Sequence, residues 1–482
     1  RDLAQLVGLF WSLLLGNVVE WYEYAVYGYL APYLEEHFFQ GSQIATWLGF
    51  AVTFLARPLG GAVFGALGDA LGRNTAVNLS IVGMLVGTCG QGLLPTYASG
   101  ATLGHVGVTG LVILRFVQGL SAAGEIATIA TYITEMGSKR ILGRSIALIS
   151  MTASAGFLSA KAAVFLTTST LGLEAVSTWA WRLPFVFALL PGLLAVWGRR
   201  RVPESAMFVE AQQAKAGASA SQASSRVRPS RSSASVVSAM SSAGGGVSQV
   251  LASHGASVLL GGCAMAAFAV LQYGGFVWIQ SYLAHQQMAP RGRFLVGLCA
   301  RLLMMALALP MGWLADVKGV GCVMLFGSIG IALFSLPLFA LVAAAPADLG
   351  VVLPAVGVGL ASLLSTVGTV SFLFIVELFP TSIRNTAVGI SYNCGFSLFG
   401  GLAPVLNQAS LKLSPLGPGF ILSAGGLIST AAVATGLVLQ RKGKVKLAHV
   451  REVPYFGCAD AAPEQNSEEE RSEESGESGE ES

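Results

Sequence analysis

Long apolar segments separated by short polar ones limit what this chain can fold into more than any other feature. About twelve follow one another, at residues 6–34, 45–67, 75–95, 107–136, 143–169, 181–198, 255–285, 293–314, 320–344, 349–378, 385–410 and 418–440. A bilayer-spanning helix needs about 20 apolar residues. Because lipid offers backbone polar groups no partner, spanning segments form helices or closed barrels, and runs of this length indicate helices. We predict an all-α membrane protein with twelve transmembrane helices.

The composition excludes whole classes of protein. Hydrophobic residues make up 54% of the 482 residues and charged residues only 11%, against roughly 25% charged in soluble domains. A soluble globular enzyme is therefore excluded. A membrane enzyme is disfavoured because HExxH, GxSxG and Walker sequences are missing, and nucleic acid binding because no binding module is recognisable. The cysteines have no metal-site spacing, so we expect neither a metal nor a cofactor.

A change of composition divides the chain into two groups of six helices. Residues 203–253, with SASQASSRVRPSRSSAS followed by SSAGGG, have the composition of a flexible linker. The spacing of Gly65, Asp69 and Gly72 recurs as Gly312, Asp316 and Gly319 in the second group. Such parallel repeats place a substrate site between the halves near the bilayer midplane. The predicted domains are an N-terminal half (1–198), a cytoplasmic linker (199–254), a C-terminal half (255–440) and a basic, then acidic, disordered tail (441–482).

The distribution of cations predicts the orientation in the membrane. If both termini are cytoplasmic, the inner loops and the tail as far as residue 446 hold seventeen Lys and Arg residues and the outer loops hold four. Because cytoplasmic loops carry the excess of Lys and Arg, we expect both termini in the cytoplasm. The plasma membrane is the default location of such a multi-pass protein.

Polar residues in the first helix form one stripe. In GNVVEWYEYAVYGYLAPYL, Asn17, Glu20, Tyr24 and Tyr27 recur at spacings of three and four, with Glu23 beside them. Burial and mutual repulsion both favour the neutral carboxyl, so we expect Glu20 and Glu23 to exchange protons and the stripe to contact substrate. The alternative is that one glutamate pairs with a buried arginine.

Further ionisable residues lie within the fourth, fifth and eighth helices. Arg115, Gln118 and Glu125 are in register over about three turns. Arg115 either binds a substrate carboxylate through its guanidinium fork or pairs with a glutamate. We expect Glu125 to take part in proton coupling and Gln118 in substrate binding. Lys161 lies too deep to snorkel and is our candidate anion site. Arg301 lies nearer the outer end of its helix, so we expect it to snorkel.

Four motifs in order resemble the metabolite:proton symporter branch of the major facilitator superfamily. They are GNVVEWYEYAVYGYLAPY, RPLGGAVFGALGDALGR, RFVQGLSAAGEIATIATYITE and ELFPTSIRNTAVGISYNCGFSLFGGLAP, and the resemblance spans nearly all twelve helices. It implies the major facilitator fold and proton-coupled uptake of a small polar metabolite, a carboxylate or zwitterion, by a protein that functions as a monomer. Substrate, protons and the lipid bilayer are then its partners.

The resemblance also assigns individual residues. Glu20 and Glu23 match the acidic pair of the branch, and Arg57 and Arg115 match its intramembrane arginines. Lys161 departs from the pattern, as do Ala70 and Asn74, where further basic residues are usual. The residues expected in a conformational latch at the cytoplasmic ends of the helices are Asp69, Arg73, Glu135, Arg144, Asp316, Glu377 and Arg384.

The latch has a physical basis beyond the resemblance. A carboxylate at Asp69 or Asp316 can accept hydrogen bonds from helix N-terminal amides and arginines in one conformation only. The alternative is a simple turn with a solvated aspartate. For the whole chain, two other functions stay open: an uncoupled facilitator of the same fold, and a nutrient sensor that binds without transport.

Overall fold

Twelve helices make up the bundle in the part of the chain that the computed structural model describes, which is residues 3–71, 73–136, 141–199, 233–379 and 383–441. The first half contains α1 (Leu3–Phe39), α2 (Gln43–Leu71), α3 (Arg73–Gln91), α4 (Ala101–Ala122, then Glu125–Met136), α5 (Leu142–Thr178) and α6 (Leu183–Phe187, then Leu189–Arg199). The second half contains α7 (Ser233–Ala264, Ala266–Val270, Leu271–Trp278 and Ile279–His285), α8 (Pro290–Lys318), α9 (Val320–Ala344), α10 (Leu349–Val352, Leu353–Leu360 and Ala361–Glu377), α11 (Arg384–Gly395, Phe396–Gly400 and Gly401–Ser410) and α12 (Gly417–Arg441). The predicted all-α fold of twelve helices is confirmed.

The helices alternate in direction, so the bundle has two ends. We call the end at which α1 begins and α12 finishes the near end, and the opposite end the far end. Among the described residues, eight helices are long and apolar enough to cross a membrane by length and composition alone. The other four are α1, α2, α3 and α11. Of these, α1 and α2 hold the buried ionisable residues Glu20, Glu23 and Arg57, which lower their apolar character.

Several helices are interrupted at the level of the bundle centre. α4 breaks at Ala123 and Gly124, immediately before Glu125. Three stretches of the second half are π-helical, Leu271–Trp278, Leu353–Leu360 and Phe396–Gly400, and each contains glycine. A π-helical turn shifts the register of the side chains that follow it and is frequent at functional sites. The break in α4 and the π-helical turns of α7 and α11 therefore re-aim side chains where the halves meet, whereas Leu353–Leu360 packs within the second half.

The helical part of α7 begins earlier than the sequence predicts. The predicted linker extends to residue 254, whereas the structure has helix from Ser233 onward. The segment contains no proline, the residue that disfavours a helix interior most. The non-helical backbone of His254, with φ −131° and ψ 19°, marks a kink close to the predicted start of the seventh helix. Residues 200–232 of the predicted linker and 442–482 of the predicted tail lie outside the described residues.

Candidate transport site

A small cavity lies between the two halves at the centre of the bundle. Its volume is about 20 Å³, which is room for about one water molecule. Helices from both halves form its wall, so a change in their relative position changes its size. The lining residues are Trp21, Ser150, Ala153, Ser154, Phe157, Phe268, Gln272, Arg301, Met304, Leu364, Ser365, Gly368 and Thr369.

Aromatic rings form one side of this cavity. The indole of Trp21 lies 5.5 Å from the ring of Phe157 and 6.4 Å from that of Phe268, measured between centroids. The side chain of Asn17 orients it: Trp21 Nε1 donates to Asn17 Oδ1 at 2.9 Å, and Asn17 Nδ2 donates to the carbonyl oxygen of Ile149 at 3.0 Å. Asn17 therefore ties α1 to α5 and holds the indole in place, instead of lining the cavity itself.

The charged group in the cavity wall is Arg301, whose side chain is 2% exposed. Its Nη1 donates to Gln272 Oε1 at 3.2 Å, and its guanidinium lies 4.0 Å from the centroid of Phe157. Its Nη2 is buried with no hydrogen-bond partner. The prediction that Arg301 snorkels is wrong: α8 begins at Pro290, so Arg301 lies about 16 Å inside the helix at 1.5 Å per residue.

A buried ion pair of the first half is hydrogen-bonded to the second half through its arginine. Arg57 Nη2 lies 3.2 Å from Glu20 Oε1, and both side chains are fully buried. The same guanidinium donates to the Tyr24 hydroxyl at 3.0 Å and, through Nε, to Asn393 Oδ1 of α11 at 3.0 Å. Asn393 Nδ2 then donates to the carbonyl oxygen of Ala123 at 2.8 Å. The charge of Glu20 is thus linked to a contact between the halves. Of the two glutamates of the first helix, Glu20 is the one that pairs with a buried arginine.

The second carboxylate of the first helix lies in a different environment. Among the described residues, no cation lies within ion-pair distance of Glu23, and its Oε1 is buried without a partner. Gln118 Nε2 donates to Glu23 Oε2 at 3.3 Å and to Thr88 Oγ1 at 2.7 Å. Arg115 Nη1 donates to Gln118 Oε1 at 2.9 Å. Arg115 therefore reaches Glu23 through Gln118 and forms no direct pair with it.

The remaining predicted site residues of α1 and α4 lie around these groups. Glu125 is 1% exposed and close enough to Glu20 and Glu23 to interact with both electrostatically. The Tyr27 hydroxyl donates to the carbonyl oxygen of Thr46 at 2.9 Å, and the Tyr27 ring lies 4.1 Å from the Arg115 guanidinium. The structure thus gathers the three glutamates, while Tyr24 and Tyr27 are occupied by contacts within the first half.

The near end is closed by a contact between α5 and α8. Asp316 Oδ1 accepts from the amide of Gly143 at 2.6 Å, and Oδ2 accepts from Arg144 Nε at 2.9 Å. A Cβ on Gly312 would lie 2.6 Å from the carbonyl oxygen of Gly143, so only glycine permits this approach. Gly319 then starts the turn into α9 with φ +89°, a conformation that favours glycine. The donors to Asp316 are the kinds predicted, helix N-terminal amides and an arginine.

Of the other predicted latch residues, the structure describes the side chains of some and not of others. Glu377 and Arg384 are buried at the near ends of α10 and α11, and Arg384 Nε donates to the carbonyl oxygen of Phe379 at 3.3 Å. The side chains of Asp69, Arg73 and Glu135 lie outside the described part of the structure, and their roles stay predictions.

The far end is closed as well. His285 Nε2 of α7 lies 3.3 Å from Glu35 Oε2 of α1. The rings of Phe165 and Phe294 stack across α5 and α8 with their centroids 4.1 Å apart. Lys161 Nζ donates to Gln280 Oε1 of α7. With contacts between the halves at both ends, the bundle is in an occluded arrangement around the cavity.

Sequence reasoning missed Trp21 and Gln272 and misplaced Arg301. Trp21 gave no signal because tryptophan counts as an apolar residue in a spanning segment. Gln272 gave none because it is a single uncharged residue in an apolar run. A signal did exist for Arg301: an arginine eight residues inside a predicted apolar segment is itself a functional indicator.

These features define a class: a helical membrane transporter whose two six-helix halves enclose a central site. Residues 10–443 match the family model described as sugar (and other) transporter. The chain belongs to this family of the major facilitator superfamily, and the resemblance to the metabolite:proton symporter branch is confirmed. The family and the relatives of this chain are transporters, not enzymes.

Individual relatives and one solved structure agree with this placement. Over 422 residues the chain is 31% identical to the ectoine/proline transporter of Corynebacterium glutamicum, covering 83% of this chain and 78% of the relative. Over 411 residues it is 29% identical to the glycine betaine/proline/ectoine/pipecolic acid transporter of Dickeya dadantii, covering 81% and 75%. The fold is similar to that of a major facilitator proton:xylose symporter bound to 6-bromo-6-deoxy-D-glucose, with a TM-score of 0.64 at 16% identity over 92% of this chain and 97% of that one.

Proposed function

We propose that the chain is a proton-coupled symporter of small zwitterions, molecules that carry one carboxylate and one cationic nitrogen, and that it works by alternating access. The observation that carries the proposal is the cavity between the halves, which is lined by Arg301 and by the rings of Trp21 and Phe268. The names of the relatives support the substrate class, since ectoine, proline and glycine betaine are zwitterions.

The two sides of the cavity suit the two charges of a zwitterion. Arg301 keeps one buried Nη2 without a partner, and a guanidinium fork binds a carboxylate through two parallel hydrogen bonds. The lining also includes the aromatic rings of Trp21 and Phe268, and an aromatic ring attracts a cationic nitrogen through its quadrupole. A plain carboxylate would use only the first of these features. We therefore favour a zwitterion over the carboxylates that the sequence left open.

The size of the cavity requires movement during transport. A space of about 20 Å³ holds about one water molecule, so an amino-acid-sized substrate enters only when the halves separate at one end. Rocking of the segments 1–198 and 255–440 about the central site provides that opening. In this scheme the contact of Asp316 with Gly143 closes the near end while the far end opens.

Proton coupling is assigned to the two carboxylates of α1, with distinct roles. A buried ionised carboxylate without a counter-ion is costly, and Glu23 is 1% exposed, so we assign the transported proton to Glu23. Glu20 forms an ion pair with Arg57, and Arg57 donates a hydrogen bond to Asn393 of the other half. A proton on Glu20 would weaken this connection between the halves, which ties protonation to movement. Glu125, beside both, is included in the proton-coupling group.

The proposed setting follows the cation bias of the sequence. The near end faces the cytoplasm, both termini are cytoplasmic, and the protein resides in the plasma membrane. We also propose that the protein functions as a monomer.

The test uses purified full-length protein in liposomes that contain a pH-sensitive dye. Labelled glycine betaine, proline and ectoine are offered outside, with succinate and glucose as the carboxylate and sugar comparisons. We expect zwitterion uptake together with acidification of the lumen. Arg301→Gln should abolish uptake, whereas Lys412→Gln, a change at an exposed cation of the far end, should not.

Other outcomes separate the alternatives. Labelled zwitterion that enters without proton movement would replace the symporter by an uncoupled facilitator. Binding without flux would identify a sensor, and uptake of succinate or glucose in place of the zwitterions would overturn the substrate class.

A further inference from the structure

Three basic side chains lie one behind another between the far end of the bundle and the central cavity. Arg293 and Arg301 are on α8 with Gly297 between them, at spacings of four residues, so all three positions share one helix face. Lys161 of α5 packs against that face at Gly297. Both Arg293 and Arg301 are close enough to Lys161 to act on it electrostatically. We call Arg293, Lys161 and Arg301 the basic column.

The side chain of Lys161 is closely packed in a space that the neighbouring residues leave for it. Its side chain is 6% exposed. A Cβ on Gly297 would lie 2.4 Å from Lys161 Cε and 2.7 Å from Nζ, so the absence of a side chain at residue 297 makes room for the lysine. The ammonium lies 4.8 Å from the ring centroid of Tyr29, whose hydroxyl is close to Arg301. Lys161 thus adjoins the cavity-lining arginine through a shared tyrosine.

The basic column has no acidic counterpart. Among the described residues, none of its three members forms an ion pair with a carboxylate. Arg293 Nε and Arg301 Nη2 are buried without hydrogen-bond partners, and the single acceptor of Lys161 is the neutral Gln280. Buried cations normally occur paired. Unpaired donors in a row are suited to an anion that is present only transiently, and such an anion favours the charged form of each basic group it meets.

The near-end and far-end sides of the cavity differ in whether basic side chains lie along them. Toward the near end, the cavity wall presents hydroxyl groups, those of Ser150, Ser154 and Thr369. Toward the far end lie Lys161 and then Arg293, which is half-buried. Among the described residues, these basic groups follow the α5–α8 seam.

From this arrangement we propose that the basic column is an entry relay for the carboxylate of the substrate. The carboxylate is received at Arg293, displaces Gln280 from Lys161 and is passed to Arg301 as the cationic nitrogen reaches the aromatic wall. Lys161 is a positioning residue on the far-side route, not part of the central binding site. This inference rests on the proposed function, because it requires a substrate with a carboxylate.

The test compares uptake in the two directions across liposomes of known protein orientation, with labelled glycine betaine as the probe. The variants are Lys161→Met, which keeps length and removes charge, Lys161→Arg, which keeps charge, and Lys412→Met, which removes an exposed charge at the far end away from the basic column. A lost charge-assisted hydrogen bond predicts that Lys161→Met raises KM for far-side substrate about ten-fold. KM for near-side substrate should not change. Lys161→Arg should recover most of the far-side affinity, and Lys412→Met should match the wild type.

The outcomes separate the relay from the proposed function. Wild-type transport with an unchanged far-side KM in Lys161→Met overturns the relay and leaves the symporter intact. An equal rise of KM in both directions overturns it too, because a damaged fold or central site would have that effect. A wild type that moves no zwitterion at all defeats the proposed function, and the relay with it.

Discussion

Replacing Asp316 by asparagine should open the near end of the transporter. The Asp316 carboxylate joins α8 of one half to α5 of the other, accepting from the amide of Gly143 at 2.6 Å and from Arg144 Nε at 2.9 Å. An asparagine keeps one acceptor oxygen, but an NH2 group replaces the other. That group is a hydrogen-bond donor and would face another donor, the Gly143 amide or Arg144 Nε. The substitution therefore removes at least one charge-assisted hydrogen bond between the halves.

The size of the effect can be worked out from these contacts. A hydrogen bond to a charged group contributes about 1.5–3 kcal/mol. The Asp316 side chain is 5% exposed but that of Arg144 is 33% exposed, so solvent weakens the pair and we take about 2 kcal/mol. At 1.4 kcal/mol per factor of ten, the population open at the near end should rise about 30-fold relative to the occluded one.

Thiol labelling measures this population. In a protein whose six native cysteines are replaced by alanine, Ser150→Cys provides a single thiol about 12 Å inside the near end of α5. Ser150 donates to the carbonyl oxygen of Gly368 across the halves at 3.0 Å, so a reagent reaches this position when the near end opens. We expect labelling by a hydrophilic maleimide to be about 30-fold faster with Asp316→Asn.

A matched control makes the result specific. Asp348→Asn is the same substitution at the far end, where Asp348 Oδ1 only accepts from the amide of Gly350 within its own half. It should leave the labelling rate unchanged. If Asp316→Asn also leaves it unchanged, or slows it, then Asp316 does not hold the near end closed and the reasoning is refuted.

Three other changes test separate parts of the mechanism. Glu23→Gln should retain zwitterion binding but lose the acceleration of uptake by a proton gradient, read from dye and label together; full acceleration would remove Glu23 as the proton carrier. Trp21→Leu should raise KM for glycine betaine about 5- to 30-fold, the worth of a desolvated cation–π contact; an unchanged KM would remove the aromatic wall from the site. Gly312→Ala places a Cβ 2.6 Å from the Gly143 carbonyl oxygen and should destabilise the closed near end by about 1–3 kcal/mol, with the Ser150→Cys labelling rate as the readout.

Periodic features of the chain were sufficient to predict the architecture. Twelve apolar segments predict twelve helices because a spanning helix must satisfy its own backbone, whatever its neighbours are. The buried carboxylates of α1 were predictable for a similar reason, since an acidic residue among apolar ones is costly wherever it lies. Asp316 was found because its spacing repeats that of Asp69. In each case the information is local in the sequence.

The interior of the site depends on distances that no local pattern contains. Whether Arg301 snorkels or lines a cavity depends on which side chains of neighbouring helices meet it, and here these are Gln272 of α7 and Phe157 of α5. Trp21 lines the cavity in a fixed orientation because its indole nitrogen donates to Asn17 and Phe157 approaches from α5.

The contact between Arg57 and Asn393 shows why coupling is the least predictable property. These residues are 336 positions apart, and each alone reads as an ordinary buried polar group. Joined, they connect an acidic side chain of one half to the backbone of α4 through the other half, since Asn393 also donates to the carbonyl oxygen of Ala123. Ala123 is the first of the two residues at which α4 is broken before Glu125. A change in the charge of Glu20 therefore acts on the point where α4 is interrupted, which is where a hinge costs least because fewer intrahelical hydrogen bonds must be broken.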